Sequence, residues 1–316
     1  MFARLVITVT AVAACSVGLA APAIAAPSGS QPTVIAHVDQ CGGAVTVRHP
    51  AHGTLTAQQA GMPKGANLFA KAARMHATWL TDVPCRAVRN RNPRPTASPT
   101  PTTAVLPASG NWSGYVALTT APTYAQMEWH VPSVKSNDQA AYSSIWPGIG
   151  GYSGTGKLIQ DGTEQDVTAG GAQTDYFWFE IVPGESEQEV TNLTPRIGDD
   201  VATDISWASG TATFAMCDYT RGGCVTGSQS STAPGNSAEW IVERTQINGQ
   251  LPQLADFGSV NITNAGYDET HLGNVEYTIA NGGQSLTMEG SSGDVLAAPG
   301  GVSGGTTFTD YWHHYS

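Results

Sequence analysis

The chain has 316 residues, of which 41% are hydrophobic and only 12% are charged, and its formal net charge is −11. An acidic chain lacks the clustered Lys and Arg that nucleic-acid binding requires, so we expect no nucleic-acid partner. The charge is unevenly distributed. Residues from 108 onward carry 5 Lys and Arg against 23 Asp and Glu, a net charge of −18, whereas the residues before 108 carry 9 against 2, a net charge of +7.

Residues 1–26 have the pattern of an export signal, in which Arg4 precedes an apolar stretch and the small-residue segment "APAIAA". A membrane anchor and a lipoprotein signal with Cys15 as the lipidated residue are the alternatives. The stretch is short and rich in Ala for an anchor, and it continues past Cys15. We therefore predict a secreted, extracellular protein with no membrane attachment once the signal is removed.

Four cysteines follow the signal, and an even number in an exported chain predicts two disulfides. We expect the pairs Cys41–Cys85 and Cys217–Cys224, the second closing the tip of a hairpin around "CDYTRGGC". The chain contains no Cys-x-x-Cys and no His-x-x-x-His spacing. We therefore expect neither a metal site nor an organic cofactor.

Residues 27–88 are basic and contain a helical-looking stretch, "GANLFAKAARMHATWLTDV". Residues 89–109 are rich in Pro and Thr, a composition typical of an extended linker or cleavage region. A basic front joined to an acidic body predicts electrostatic docking, so we interpret residues 27–88 as a prosegment that inhibits its own enzyme. The alternative is a secretion spacer without an inhibitory role.

Residues 110–316 consist of short runs rich in aromatic and β-branched residues, separated by Gly, Ser, Thr and Asn. This pattern predicts an all-β fold, a two-sheet antiparallel β-sandwich of the concanavalin A-like or jelly-roll type. The predicted strands are "NWSGYVALT", "YAQMEWHVP", "SSIWPGIGGY", "KLIQDGTEQ", "DYFWFEIVP", "VATDISWAS", "TATFAMCDY", "SAEWIVERT", "GSVNITNA" and "EYTIA".

Side chains alternate between the two faces of a strand. Glu239 and Glu243 therefore share one face of their predicted strand, and Trp178 and Glu180 share one face of theirs. A face that mixes Trp with Glu indicates a binding groove. The alternative is a Trp that covers the sheet beside a solvated Glu. Glu180 and Glu243 together would also suit glycoside hydrolysis, which makes a carbohydrate-binding or glycan-hydrolysing sandwich the alternative function.

Six segments in order, "NWSGYV", "VPSV", "LIQDGTEQ", "FWFEIVP", "AEWIVE" and "ADFGSVNITNA", resemble the glutamic endopeptidases, also called eqolisins, peptidase family G1 or pepstatin-insensitive acid peptidases. The resemblance implies a sandwich with a catalytic Gln and Glu on its concave sheet, which are Gln160 and Glu243 in this chain. It also places four residues around the substrate-binding cleft, namely Trp112, Trp146, Trp178 and Glu180.

The chain departs from the fungal members of this family at four positions that bear on subsite preference. Val182 replaces an aromatic residue, Tyr176 and Gly150 replace acids, and Glu164 replaces Asp. The catalytic pair is retained.

The chemistry of the two catalytic residues fits peptide hydrolysis. An ionised Glu243 can take a proton from water and pass it to the leaving nitrogen, and the Gln160 amide can donate to the oxyanion. As carboxylates protonate in acid, a surface with few basic groups becomes nearly neutral, which is compatible with work at low pH. We predict a monomeric acid endopeptidase that cleaves proteins or peptides and is made as a proenzyme.

Overall fold

The computed structural model describes residues 33–37, 41, 44–89, 106, 108–152, 156–270 and 275–316. They all belong to one compact unit, Gln31–Ser316. The predicted export signal and most of the predicted linker lie outside the described residues. Within the described ranges, no helix combines the length and the apolar character needed to cross a membrane.

The secondary structure is dominated by strands. The helices are α1 (Ala57–Ala60) and α2 (Asn67–Arg74). The strands are β1 (Thr33–His37), β2 (Val45–His49), β3 (Thr78–Trp79), β4 (Cys85–Arg89), β5 (Trp112–Leu118), β6 (Tyr124–His130), β7 (Ala141–Ile149), β8 (Leu158–Val167), β9 (Gln173–Val182), β10 (Glu187–Val190), β11 (Asp200–Ala208), β12 (Thr211–Asp218), β13 (Gly223–Ser230), β14 (Ser237–Glu243), β15 (Gln253–Leu254), β16 (Ser259–Asp268), β17 (Tyr277–Thr278), β18 (Gly283–Leu286), β19 (Met288–Glu289), β20 (Val295–Pro299) and β21 (Phe308–Trp312).

Two largely antiparallel sheets form a sandwich, which confirms the predicted fold class. Sheet I has 12 strands in the order β1-β2-β13-β12-β11-β6-β16-β21-β20-β19, with β3 beside β13 and β17 beside β16. Sheet II has nine strands in the order β18-β5-β14-β7-β8-β9-β10-β4, with β15 beside β7. Because side chains alternate along a strand, each strand places one set of side chains between the two sheets and the other set on the outer face of its own sheet.

The main core lies between the two sheets, where aromatic side chains from both meet. Phe179 of sheet II stacks on Phe214 of sheet I with ring centroids 4.1 Å apart. Trp240 is fully buried, and its indole nitrogen donates to the carbonyl of Gln126 on sheet I at 3.0 Å. Because Trp240 and Val242 point into this core, Glu239 and Glu243 point to the opposite face of sheet II.

All ten predicted strands are present within a few residues of their expected bounds. Both predicted disulfides, Cys41–Cys85 and Cys217–Cys224, are confirmed, and the second joins directly paired residues of the β12–β13 hairpin. The C-terminal residues are held by the fold. Trp312 ends β21, which pairs with β16 and β20, and the His313 amide donates to the Leu296 carbonyl at 2.8 Å.

The helical-looking stretch of residues 65–83 is helical only in its first half. Helix α2 ends at Arg74, and His76 adopts a left-handed conformation with φ of 54°. The chain then enters β3, which pairs in parallel with β13. Tertiary pairing therefore overrides the local helical preference at Thr78 and Trp79, a β-branched and an aromatic residue that suit a strand.

Candidate active site

The face of sheet II that points away from the main core carries a second cluster of buried aromatic and aliphatic side chains. Trp112 and Trp146 meet edge to face in it, with ring centroids 4.9 Å apart. We call this group the cleft cluster; its buried members are Leu106, Trp112, Val116, Trp146, Tyr152, Leu158, Tyr176, Trp178, Val182, Ile241 and Leu286. Three of the six predicted site residues, Trp112, Trp146 and Trp178, are members of the cleft cluster.

Gln160 and Glu180 lie directly opposite each other on the neighbouring strands β8 and β9. Both are fully buried, and the Gln160 Nε2 donates to the Glu180 Oε2 at 3.1 Å. This bond fixes the orientation of the Gln160 amide and leaves its other N–H available. The Gln160 Oε1 is buried without a hydrogen-bond partner among the described residues, so it can accept a bond from a further group. The alternative in which Glu180 is simply solvated is wrong.

Glu243 ends β14 and is also fully buried on this face. The Trp146 Nε1 donates to its Oε2 at 2.9 Å, and the Asn111 Nδ2 donates to its Oε1 at 3.4 Å. Two N–H donors suit an ionised carboxylate, which only accepts hydrogen bonds. Asn111 is held in turn, because its carbonyl accepts from the Arg244 amide at 2.7 Å.

Trp146 reaches Glu243 because glycines leave space for its indole. A Cβ at Gly162 would lie 2.6 Å from the Trp146 Cβ, and a Cβ at Gly148 would lie 2.8 Å from the Trp146 ring. Both approaches are closer than any side chain permits without a shift. The glycines of "WPGIG" and "QDGTE" therefore belong to the site, although neither carries a reactive group.

Gln160 and Glu243 share one sheet and one face but are neither adjacent nor in register. Gln160 lies opposite Gly148, which lies opposite Glu239, whereas Glu243 lies opposite Ser144. The two residues are thus two strands apart, roughly 10 Å across the sheet, and offset along it by four residues of β7, roughly 13 Å. Trp146 lies on the intervening strand β7, on the same face as both.

Glu239, the other acid of "AEWIVE", binds a loop beside the cleft. Its Oε1 accepts from the backbone amides of Gly151 and Tyr152, each at 2.9 Å, and from the Ser237 hydroxyl. Tyr152 belongs to the cleft cluster, and burial raises the pKa of its phenol to about 12. This positioning role was not predicted. The signal available in the sequence was the alternation that places Glu239 on the face of Glu243.

Glu164, another carboxylate on this face, is hydrogen-bonded to the chain just after Glu243. The Thr245 hydroxyl donates to the Glu164 Oε1 at 2.9 Å, and both residues are fully buried. Glu164 lies opposite Ser144, which lies opposite Glu243. Glu164, which replaces the family's Asp, therefore lies in the same row across the sheet as Glu243, the candidate base.

The family of the chain follows from comparisons with known proteins. The family model described as "Peptidase A4 family" matches residues 110–309. The chain belongs to the peptidase A4 family. It is 31% identical over 184 residues to aspergillopepsin-2 of Aspergillus niger, an alignment that spans 50% of this chain and 64% of that relative.

Two solved structures share the fold. A scytalido-glutamic peptidase with a transition-state analogue inhibitor superposes with a TM-score of 0.55 at 21% identity, covering 65% of this chain and 98% of that one. An eqolisin-family peptidase, SCP-B, in complex with the tripeptide Ala-Ile-His superposes with a TM-score of 0.51 at 19% identity over 65% of this chain and 98% of that one. The family resemblance predicted from the sequence is confirmed.

Proposed function

We propose that this peptidase A4 family member is a secreted acid endopeptidase in which Gln160 and Glu243 form the catalytic pair. The observation that carries the proposal is the placement of Glu243 on the cleft face, where Trp146 and Asn111 donate to its carboxylate. Its relatives include proteins whose names describe them as glutamic peptidases, one of them with a bound transition-state analogue. Protein or peptide substrates are the corresponding ligands for this cleft.

In the proposed mechanism Glu243 acts first as a base. It takes one proton from a water molecule while the water oxygen attacks the scissile carbonyl, whose electron pair moves to the carbonyl oxygen. The free N–H of the Gln160 amide donates to that oxyanion, and its Oε1 orients the water. Glu243 then passes its proton to the leaving nitrogen as the C–N bond breaks, which returns the carboxylate to its ionised state.

In this proposal the water and the scissile carbonyl bind between the two residues, on the side of the intervening strand β7 that carries Trp146. Gln160 is oriented by Glu180 from one side, and Glu243 by Trp146 and Asn111 from the other. Each group is held by partners that do not need to move during the reaction, which is the condition for preorganised electrostatic stabilisation.

The basic N-terminal residues 27–88 are proposed to keep the precursor inactive after export by the signal at residues 1–26. Two contacts support an inhibitory position. Leu106 is a buried member of the cleft cluster, and Val88 packs against that cluster. The residue just before the linker and a residue near its end thus reach the face that carries Gln160 and Glu243.

Two substitutions test the catalytic pair. Glu243→Gln and Gln160→Ala should each reduce the cleavage of a denatured protein at acid pH by about 10²-fold or more, since base catalysis and oxyanion donors each contribute on that scale. Glu276→Gln, at an exposed position, is the matched control and should cleave normally. Urea unfolding should confirm that all three variants remain folded.

Normal turnover by either active-site variant would disprove the assigned role. A parallel screen of glycan substrates separates the alternative, because a glycan hydrolase built on Glu180 and Glu243 would cleave glycans and leave the protein substrate intact. Mass spectrometry of the acidified precursor reports maturation. The wild-type chain should be cut near the linker, and Glu243→Gln should remain whole.

A further inference from the structure

The residues before the linker are built into both sheets of the sandwich. We call residues 33–89 the N-terminal segment. Its strand β2 pairs with β13 of sheet I, where Val47 lies opposite Gly227, and β3 pairs with the other end of β13. Its strand β4 pairs with β10 of sheet II. The segment therefore extends one edge of each sheet.

Between these strands, the helices cover the outer face of sheet I, on the side away from the main core. The buried side chains Leu55, Met62, Leu68 and Phe69 form one cluster with sandwich residues that include Tyr124. Three polar contacts cross the same boundary. They run from the Ser206 hydroxyl to the Gly61 carbonyl at 3.2 Å, from the Tyr219 hydroxyl to the Leu68 carbonyl at 3.2 Å, and from the Asn67 amide to the Gln126 Oε1 at 3.2 Å.

Charge complementarity adds to this packing. The Lys71 ammonium forms ion pairs with Glu128 and, at 2.6 Å, with Asp200, and it lies 4.3 Å from the centre of the Tyr219 ring. Burial alone would lower the pKa of Lys71, but the hydrogen bonds to Asp200 and Glu128 raise it above the ordinary value. A second ion pair joins Arg86 to Glu189 at 2.7 Å. The predicted docking of a basic front on an acidic body thus has a defined location.

This location lies mostly away from the cleft, and the attachment is not covalent. Cys41–Cys85 lies within the N-terminal segment and Cys217–Cys224 within the sandwich, so neither disulfide joins one to the other. We infer that the N-terminal segment is a built-in subunit, which stays bound to the sandwich after the chain is cut in the linker, at the acid pH of catalysis as well as at neutral pH. The inference concerns binding alone and does not require Glu243 to be catalytic.

The proposed inhibition would then end with the cut itself. Val88, just before the linker, packs against the cleft cluster, and Leu106, near the end of the linker, is a member of it. A cut between them would free the cleft while the outer-face contacts persist. The active enzyme would consist of two chains.

The pH dependence of this attachment is set mainly by Asp204, a fully buried residue on the outer face of β11. Asp204 lines one small crevice with Asn67 and Leu68 of α2 and accepts a hydrogen bond from the Tyr124 hydroxyl at 2.6 Å. Burial raises the pKa of Asp204 to about 8. The titratable and charged groups around this carboxyl are Tyr124, Glu128, Asp161, Tyr219 and, across the boundary on α2, Lys71.

The sign of the effect follows from these positions. If the N-terminal segment left, Asp204 would reach water and its pKa would return toward about 3.9. Binding is therefore linked to protonation: it is strongest below about pH 4, weakens progressively as the pH rises from about 4 to about 8, and falls by about tenfold between pH 7 and pH 9. The ion pairs of Lys71 with Glu128 and Asp200 are partly exposed and contribute only about fivefold or less each.

The test uses the full chain with a recognition sequence for a site-specific protease placed within residues 96–100, in a Glu243→Gln background. After cutting, size-exclusion chromatography over a dilution series is run at about pH 4, 7 and 9, and non-reducing gels show which fractions hold the N-terminal segment. We expect co-elution at about pH 4 and 7, with about tenfold weaker association at about pH 9. Asp204→Asn removes the titrating group and should make association equal at pH 7 and 9.

Release of the segment on acidification, or its separation at neutral pH, would overturn the inference. Leu68→Asp should abolish retention, whereas Ala70→Asp, which adds the same charge at an exposed position of α2, should not. If Leu68→Asp prevents the precursor from folding, the comparison of wild type with Asp204→Asn across pH still decides. A wild-type complex whose association does not weaken at pH 9 would contradict the role of Asp204.

Discussion

Asp310 tests how the protonation of a buried carboxyl group affects the stability of this acidic chain. Asp310 lies on β21, is fully buried and accepts hydrogen bonds from the Ser113 hydroxyl at 2.9 and 2.8 Å on its two oxygens. Burial is the largest cause that raises its pKa to about 7. We predict that Asp310→Asn stabilises the protein at alkaline pH and leaves its stability in acid nearly unchanged.

The magnitude follows from the difference between the folded and unfolded pKa. The folded value of about 7 lies roughly three units above the ordinary value of 3.8, and each unit corresponds to about 1.4 kcal/mol. A raised pKa means that the protonated form carries the stability. That stability is complete below pH 4 and is lost as the pH rises through about 7. Ionised Asp310 thus costs on the order of 4 kcal/mol at pH 9, a cost that Asn avoids.

Urea unfolding at about pH 4, 6 and 8.5 measures this difference. The free energy of unfolding of the wild type should fall faster with pH than that of Asp310→Asn, and the two curves should meet in acid. Asp294→Asn, at an exposed carboxylate in the turn between β19 and β20, is the matched control and should follow the wild type. Parallel curves for wild type and Asp310→Asn would refute the reasoning, because they would mean that Asp310 is ionised in the folded protein at little cost.

Three further substitutions probe the cleft. Trp146→Phe removes the donor to Glu243 while keeping an aromatic ring between the glycines. A lost hydrogen bond to a charged group costs about 1.5–3 kcal/mol. We therefore expect kcat to fall about tenfold to a hundredfold with little change in KM. Gly162→Ala places a Cβ 2.2 Å from the Ile145 carbonyl oxygen, and it should lower both stability and kcat, which thermal unfolding and kinetics would reveal; unchanged values for both would contradict the tight fit. Glu239→Gln weakens the hold on residues 150–152, and we expect peptide KM to rise more than kcat falls; an effect confined to kcat would argue against a positioning role.

Local sequence patterns were sufficient to predict the strands that build the site. Period-2 alternation placed Gln160, Glu180 and Glu243 on the outer face of their strands, and the structure has all three on the face that carries the cleft cluster. Alternation could not predict which carboxylate meets which donor. The bond from Trp146 to Glu243 depends on strand order and on the space left by Gly148 and Gly162, and both are properties of the assembled sheet.

The N-terminal segment marks the limit of such reasoning. "VTVRH" alternates as a strand should, and its burial follows that alternation in the structure. Its partner β13 lies about 180 residues further along the chain, as in the pair of Thr46 with Ser228, and no local signal specifies a pairing at that distance. The basic charge of the segment predicted an acidic docking surface, but only the fold places that surface on the outer face of sheet I.

The pairing of β2 with β13 and of β4 with β10 also bears on solubility. Without the N-terminal segment, β13 and β10 would each present a row of unpaired backbone amides and carbonyls, at one edge of each sheet, to other molecules. Such edges are templates for intermolecular strand addition and aggregation. The strand that replaces β10 at the border of sheet II carries exposed Arg86, and a charged border strand discourages that addition. While residues 33–89 stay bound, they cover these two edges and so disfavour self-association of the sandwich.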